Sequence, residues 1–116
     1  AIITSVELTM NTNRISAASV ADDYTLHRVT TDWGEGSSNT NFGTGAVAIA
    51  PDATWNDGML GTSVWTTQGG DFIAAPSATQ SFPAAIGATT IASSAGLVAD
   101  IQNWVDGVNS NFGWVL

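Results

Sequence analysis

Ile2-Ile3-Thr4-Ser5-Val6-Glu7-Leu8-Thr9-Met10 decides the class of fold. Ile2, Thr4, Val6, Leu8 and Met10 alternate with Ile3, Ser5, Glu7 and Thr9, the period of two that marks a half-buried strand. Val6, Leu8 and Met10 are expected to face a core, and Asn11-Thr12-Asn13 breaks the run as a loop. Residues 24–30 form a second strand rich in β-formers, with Tyr24 and Leu26 on one face and His27 and Val29 on the other. Residues 46–50 read as a short third strand stopped by Pro51, and residues 86–91 and 112–116 as two more. Between them, residues 32–45 are mostly Gly, Ser, Asn and Thr and predict a long loop. Residues 52–72 predict irregular structure with short strands, held by Trp55 and Trp65, and residues 73–90 are small and apolar, interrupted by Pro76 and Pro83. One helix is signalled: Leu97, Val98, Ile101, Trp104 and Val105 share a face, with Ser93 or Ser94 as N-cap and Gly107 beyond the last turn. Many short strands with frequent turns and one short helix near the C-terminus predict an all-β sandwich.

The 116 residues suit one domain, and 44% hydrophobic content supports a packed core and argues against disorder. Only 10% of residues are charged, against about 25% in an average domain. Lysine is absent, Arg14 and Arg28 are the only Lys or Arg side chains, and with His27 counted neutral the net charge is −8. Nucleic acid is excluded as a partner, because neutralising phosphates needs clustered Lys and Arg. An anionic membrane surface is disfavoured for the same reason, and a strongly anionic polysaccharide would need a bridging cation. Without cysteine there is neither a disulfide framework nor a thiolate metal site. No run of about 18 apolar residues occurs, so membrane insertion is not expected. The chain shows no leader of its own, and one is expected to have been removed or to lie outside this segment. A low-charge surface rich in Thr, Ser, Asn and Gly fits a secreted or cell-surface location.

Several stretches, in order, are similar to one family. Ile3-Thr4-Ser5-Val6-Glu7-Leu8-Thr9-Met10 resembles the I-x-x-A-x-L-x-L strand of the DNRLRE-type domain. Val29-Thr30-Thr31-Asp32-Trp33-Gly34-Glu35-Gly36 resembles its V-T-x-D-W-x-E-G. Leu97-Val98-Ala99-Asp100-Ile101-Gln102-Asn103-Trp104-Val105-Asp106-Gly107 resembles its L-V-x-x-V-Q-x-W-x-x-G helix, and Asn111-Phe112-Gly113-Trp114-Val115-Leu116 the strand after it. Ala53-Thr54-Trp55 and Trp65-Thr66-Thr67-Gln68-Gly69-Gly70-Asp71-Phe72 look like one branch of that family. The resemblance implies a jelly-roll-like β-sandwich, secreted by bacteria and appended to larger extracellular proteins, with some relatives classed as carbohydrate-binding modules. It also implies a single domain, residues 1–116, that lacks strands at both ends and has open sheet edges able to pair with another chain.

Candidate sites compete with structural readings of the same residues. Asp32 and Glu35 could share a Ca²⁺ with loop carbonyls, since calcium takes six to eight oxygens. The structural alternative has Asp32 capping a turn and Glu35 pairing with Arg28. Asp22-Asp23 reads as solvated loop. Asp52-Ala53-Thr54-Trp55-Asn56-Asp57-Gly58 is acidic, loop-like and aromatic, and could bind a sugar or Ca²⁺, although it lacks the terminal Glu of an EF-hand loop. Trp55 and Trp65 are the candidate stacking platforms, with Asp52, Asn56, Asp57 and Asp71 as polar partners. Trp104 is assigned to the core by its helical position, and a large aromatic is in general more often core than platform. His27 reads as a strand residue hydrogen-bonded to a neighbour. No nucleophile elbow, zinc-protease helix or phosphate-binding Gly-rich loop is present.

These observations favour a non-catalytic extracellular module that binds carbohydrate, with polysaccharide as partner and Ca²⁺ as the one cofactor to consider. The first alternative is a structural spacer or assembly subunit, a homo-oligomer joined through open edge strands. A polysaccharide-acting enzyme, with His27 or Tyr24 in a cleft with converging acids, is the second.

Overall fold

A computed structural model describes residues 1–40 and 44–116. The chain divides into two compact units: Ala1–Arg28 with Ala74–Leu116, and Val29–Ile73, which is inserted in the sequence between them. Among the described residues the strands pair antiparallel and one short helix lies near the C-terminus, so the class is all-β.

The first unit is built on two small sheets. Strand β1 (Leu8–Thr12) pairs with β6 (Gly87–Ile91), Leu8 opposite Ile91 and Thr12 opposite Gly87. Strand β2 (Asp22–Arg28) lies between β5 (Ala78–Phe82) and β7 (Trp114–Val115). Leu26 and Ala78 face inward from the second sheet and Ile91 from the first. Leu97 joins them from helix α1 (Ala95–Val105) and has no exposed surface. Val6, Leu8, Met10, Phe82 and Trp114 pack around this centre, so Val6, Leu8 and Met10 face the core as their alternation predicts.

The helix follows its signals. Ser94 is extended, its hydroxyl accepts the Leu97 N–H at 3.1 Å and donates to the Ser77 carbonyl, and Gly107 takes the left-handed conformation just beyond Asp106. On the buried side of the helix, its own Asp100 accepts from the Ser77 hydroxyl at 2.5 Å, the Trp114 indole N–H at 2.8 Å and Arg28 Nε at 3.3 Å. A buried carboxylate needs such a set of donors to offset its lost hydration. The pairing of Glu35 with Arg28 is thereby corrected: the Arg28 guanidinium is engaged by Asp100, a partner that forms only when β2, β7 and the helix come together.

Several strand expectations are corrected. Asp22 and Asp23, expected in a loop, open β2 opposite Phe82 and Ser81, and Asn11 and Thr12, also expected in a loop, extend β1 opposite Ala88 and Gly87. The first strand begins at Leu8 and not at Ile2, because side chains take up the earlier backbone groups. Gln102 Oε1 accepts from Ile3 N at 2.8 Å, Gln102 Nε2 donates to the Ala1 carbonyl at 3.0 Å, and Ser93 Oγ accepts from Val6 N at 3.0 Å. Residues 46–50 form no strand. The Val47 carbonyl accepts from the Ser38 hydroxyl and the Ile49 N–H donates to the Asp52 carboxylate, so no ladder is built there. Conversely, residues 78–82 are a strand, with Ala78, Gln80 and Phe82 inward of Thr79 and Ser81, set between the two prolines that flank it. Among the described residues no helix is long and apolar enough to cross a membrane.

The second unit has little regular structure. Strands β3 (Asp57–Met59) and β4 (Ser63–Val64) form a bulged hairpin, and Val29 bridges to Phe72. The expected loop over residues 32–45 contains no strand among its described residues; Asn41, Phe42 and Gly43 lie outside them.

A candidate carbohydrate platform around Trp55

Within the second unit, carboxylates organise the backbone. Asp52 is 6% exposed. It accepts the N–H groups of Ile49 and Ser37, each at 2.8 Å, and the Ser38 hydroxyl, drawing residues 36–38 onto residues 49–52. Gly36 has φ +71°, and a Cβ there would overlap Asp52 Oδ1, so only glycine fits against the carboxylate. The Ile49 N–H, then the Ser38 hydroxyl and the Ser37 N–H, stabilise the anion against the opposing effect of burial and hold its pKa down at about 2.

Asp71 acts in the same way. It accepts from Thr66 N and Thr67 N, both at 2.9 Å, and from the Thr31 hydroxyl at 3.2 Å. The Thr66 N–H is the largest of the effects that lower its pKa. Asp57 accepts the Thr54 hydroxyl at 2.8 Å, and the Thr54 oxygen in turn accepts the N–H groups of Asn56 and Asp57. With Thr54 N bonded to the Asp57 carbonyl, residues 54–57 make a clasped turn that has Trp55 and Asn56 at its tip.

Trp65 braces this turn. Its indole N–H donates to the Thr54 carbonyl at 2.9 Å, its backbone N–H to the Asn56 carbonyl at 3.0 Å, and its ring lies against Gly58. Read from the sequence as a second platform, Trp65 is half-buried and has its polar handle engaged. Trp55 is 69% exposed. The Gly69 N–H donates to the Trp55 carbonyl at 2.8 Å, folding residues 67–70 back under the indole. Gly69 has φ +91°, and a Cβ there would sit 2.8 Å from Cη2 of the ring. The benzo edge of Trp55 therefore rests on bare backbone, which holds the ring while leaving it open to solvent.

Gln68 precedes Gly69 in the turn against this edge. Its Nε2 donates to Asn56 Oδ1 at 2.8 Å, which leaves Asn56 Nδ2 as a donor and Gln68 Oε1 as an acceptor on the residues that follow Trp55 and precede Gly69. Of the candidate polar residues, Asn56 stands at the platform. Asp52, Asp57 and Asp71 have carboxylate oxygens engaged in shaping the loops. Gln68 was not singled out from the sequence. The signal for it was the Gln-Gly-Gly run, in which a positive-φ turn can return a side chain toward an earlier loop.

Asp32 is exposed and its Oδ1 accepts the N–H of Trp33 at 2.9 Å, and Glu35 is exposed nearby in sequence. Among the described residues no three acids or histidines converge as metal ligands. On β2, His27 Nε2 meets the Thr25 hydroxyl at 2.9 Å, the neighbour bond expected of a strand residue. Comparison with protein-family models, with curated proteins and with solved structures finds no match.

Proposed function

We propose that this chain is a non-catalytic, extracellular carbohydrate-binding module whose platform is Trp55, flanked by Asn56 and Gln68. The observation that carries the reading is an indole 69% exposed yet fixed from below by Gly69, beside an amide pair with a free donor and a free acceptor. Stacking of a pyranose on such a ring removes apolar C–H surface from water, and paired amides suit vicinal hydroxyls. The ordered similarity to DNRLRE-type domains supports the same reading, together with a secreted or cell-surface location and a jelly-roll-like relationship. A calcium ion at Asp32 and Glu35 would serve the loop and not the platform.

A glycan array followed by calorimetry, with Ca²⁺ present, tests the proposal. Binding should appear in the wild type and fall roughly tenfold to a hundredfold in Trp55→Ala, the usual cost of truncating a central aromatic contact. Equal binding by both proteins would overturn it.

A second reading has its own observation. Among the described residues β1 and β6 form a sheet of two, so each pairs on one side only. Such edges can accept a strand from another copy. Light scattering distinguishes this assembly role, which predicts a concentration-dependent oligomer, from a monomeric module.

A further inference from the structure

The charge of the platform's own unit narrows the class of ligand. We infer that the Trp55 platform takes uncharged polysaccharide and binds it without a bridging cation. This inference rests on the carbohydrate-binding reading above and specifies its substrate class.

Residues 29–73 contain Asp32, Glu35, Asp52, Asp57 and Asp71, and no Lys, Arg or His. Every ionisable side chain of the unit is therefore acidic, and Asp57 lies next to Asn56 in the platform turn. A uronate or sulfated chain laid on Trp55 would meet like charge within about one Debye length, roughly 10 Å at moderate ionic strength, with no guanidinium or ammonium in the unit to pair with it. Anionic sugars would then require a cation bridge.

The carboxylates nearest the platform are poorly disposed to supply one. Asp57 Oδ2 holds the Thr54 hydroxyl at 2.8 Å. Asp71 holds two backbone N–H groups and the Thr31 hydroxyl with its two oxygens. Calcium would have to displace the bonds that shape the turn it is meant to serve. What remains at the platform is neutral: an exposed indole face, an amide donor from Asn56 and an amide acceptor from Gln68. That set matches the C–H face and adjacent hydroxyls of a neutral pyranose. Its interactions are short-ranged and involve no titrating group.

The experiment compares soluble neutral polysaccharides, a β-linked glucan, a xylan and a galactomannan, with polygalacturonate and alginate. Binding is measured by calorimetry and affinity electrophoresis for the wild type, Trp55→Ala and the double variant Asn56→Ala with Gln68→Ala. Each is run with Ca²⁺ and with excess EDTA, and at low and about 0.5 M salt. Circular dichroism confirms that the variants fold. A neutral polymer should bind in a Trp55-dependent manner, with affinity changed less than about twofold by EDTA or salt, and the amide double variant should bind more weakly than the wild type. Trp55-dependent binding that prefers a polyuronate, or that EDTA abolishes, overturns this inference and leaves the carbohydrate-binding reading standing. Absence of Trp55-dependent binding to any of these polymers overturns both.

Discussion

The two compact units solve the same problem with different chemistry. In the first, Leu26, Ala78, Ile91 and Leu97 exclude water from a shared centre, and the sheets and helix are arranged around it. In the second, Val29 is the only buried hydrophobic among the described residues. Its loops are held by Asp52 and Asp71, each gathering several backbone and hydroxyl donors, and by the Trp65 brace. The comparison teaches where a large aromatic is easily held in the open. An apolar core demands that large side chains turn inward. Loops knotted by carboxylates leave a tryptophan free to turn outward, as Trp55 does.

The comparison can be broken first in the apolar unit. Leu97→Ala removes the most completely buried side chain and should cost about 3 kcal/mol, a large fraction of a small domain's stability. Chemical denaturation followed by far-ultraviolet circular dichroism measures it. A loss below about 1 kcal/mol would mean that Leu97 is not the centre of the core.

Gly36→Ala attacks the second unit at the Asp52 knot. The new Cβ meets both a left-handed backbone and the carboxylate, so a destabilisation of about 2 kcal/mol is expected. Hydrogen exchange should quicken at Ser37, Ile49 and Leu60. Unchanged protection there would show that Asp52 does not organise the loop.

Acid tests the carboxylates of the second unit more gently. Asp52 and Asp71 have pKa values below those of the unfolded chain, Asp52 at about 2. Their stabilisation is fully present above the unfolded carboxylate pKa of about 4 and is lost as the pH falls toward 2. Trp65 fluorescence and exchange in residues 49–71 should respond across that window. A second unit indifferent to pH between about 5 and 2 would contradict the role given to these carboxylates.

The smallest effect belongs to the exposed residue. Trp55→Ala should change stability by less than about 0.5 kcal/mol, because its ring is mostly solvated. A thermal melt shows whether it does. A large drop would make Trp55 a structural residue.

Legibility in the sequence follows the same division. Helix α1 could be read because its cap, apolar face and terminating glycine are all local. Residues 24–28 of β2 and strand β6 could be read from their β-formers, and the inward set Val6, Leu8 and Met10 from alternation, whereas Asp22 and Asp23 read as loop and join β2 only through pairing with β5. Strand β5 also alternates, but Pro76 and Pro83 and its small, polar residues concealed it. The false strand at residues 46–50 shows the converse: Val47 and Ile49 have strand-forming side chains, yet their backbone groups are engaged by Ser38 and Asp52. At the candidate site, Trp55 and Asn56 were legible as an aromatic and an amide in a loop. The division between an exposed Trp55 and a bracing Trp65 was not, since it depends on bonds from Trp65 to Thr54 and Asn56. Nor was Gln68, which reaches Asn56 only once Gly69 has bonded back to Trp55. Residue type alone does not separate a carboxylate that binds a ligand from one that ties a loop.

The most direct test of the carbohydrate platform is a nitrogen-15 correlation spectrum recorded while a neutral oligosaccharide is titrated in. The Trp55 indole N–H and the side-chain amides of Asn56 and Gln68 should shift together and saturate, while the indole signals of Trp104 and Trp114 stay in place. Shifts confined to Trp104 and Trp114, or no shift at Trp55 at saturating sugar, would contradict the account.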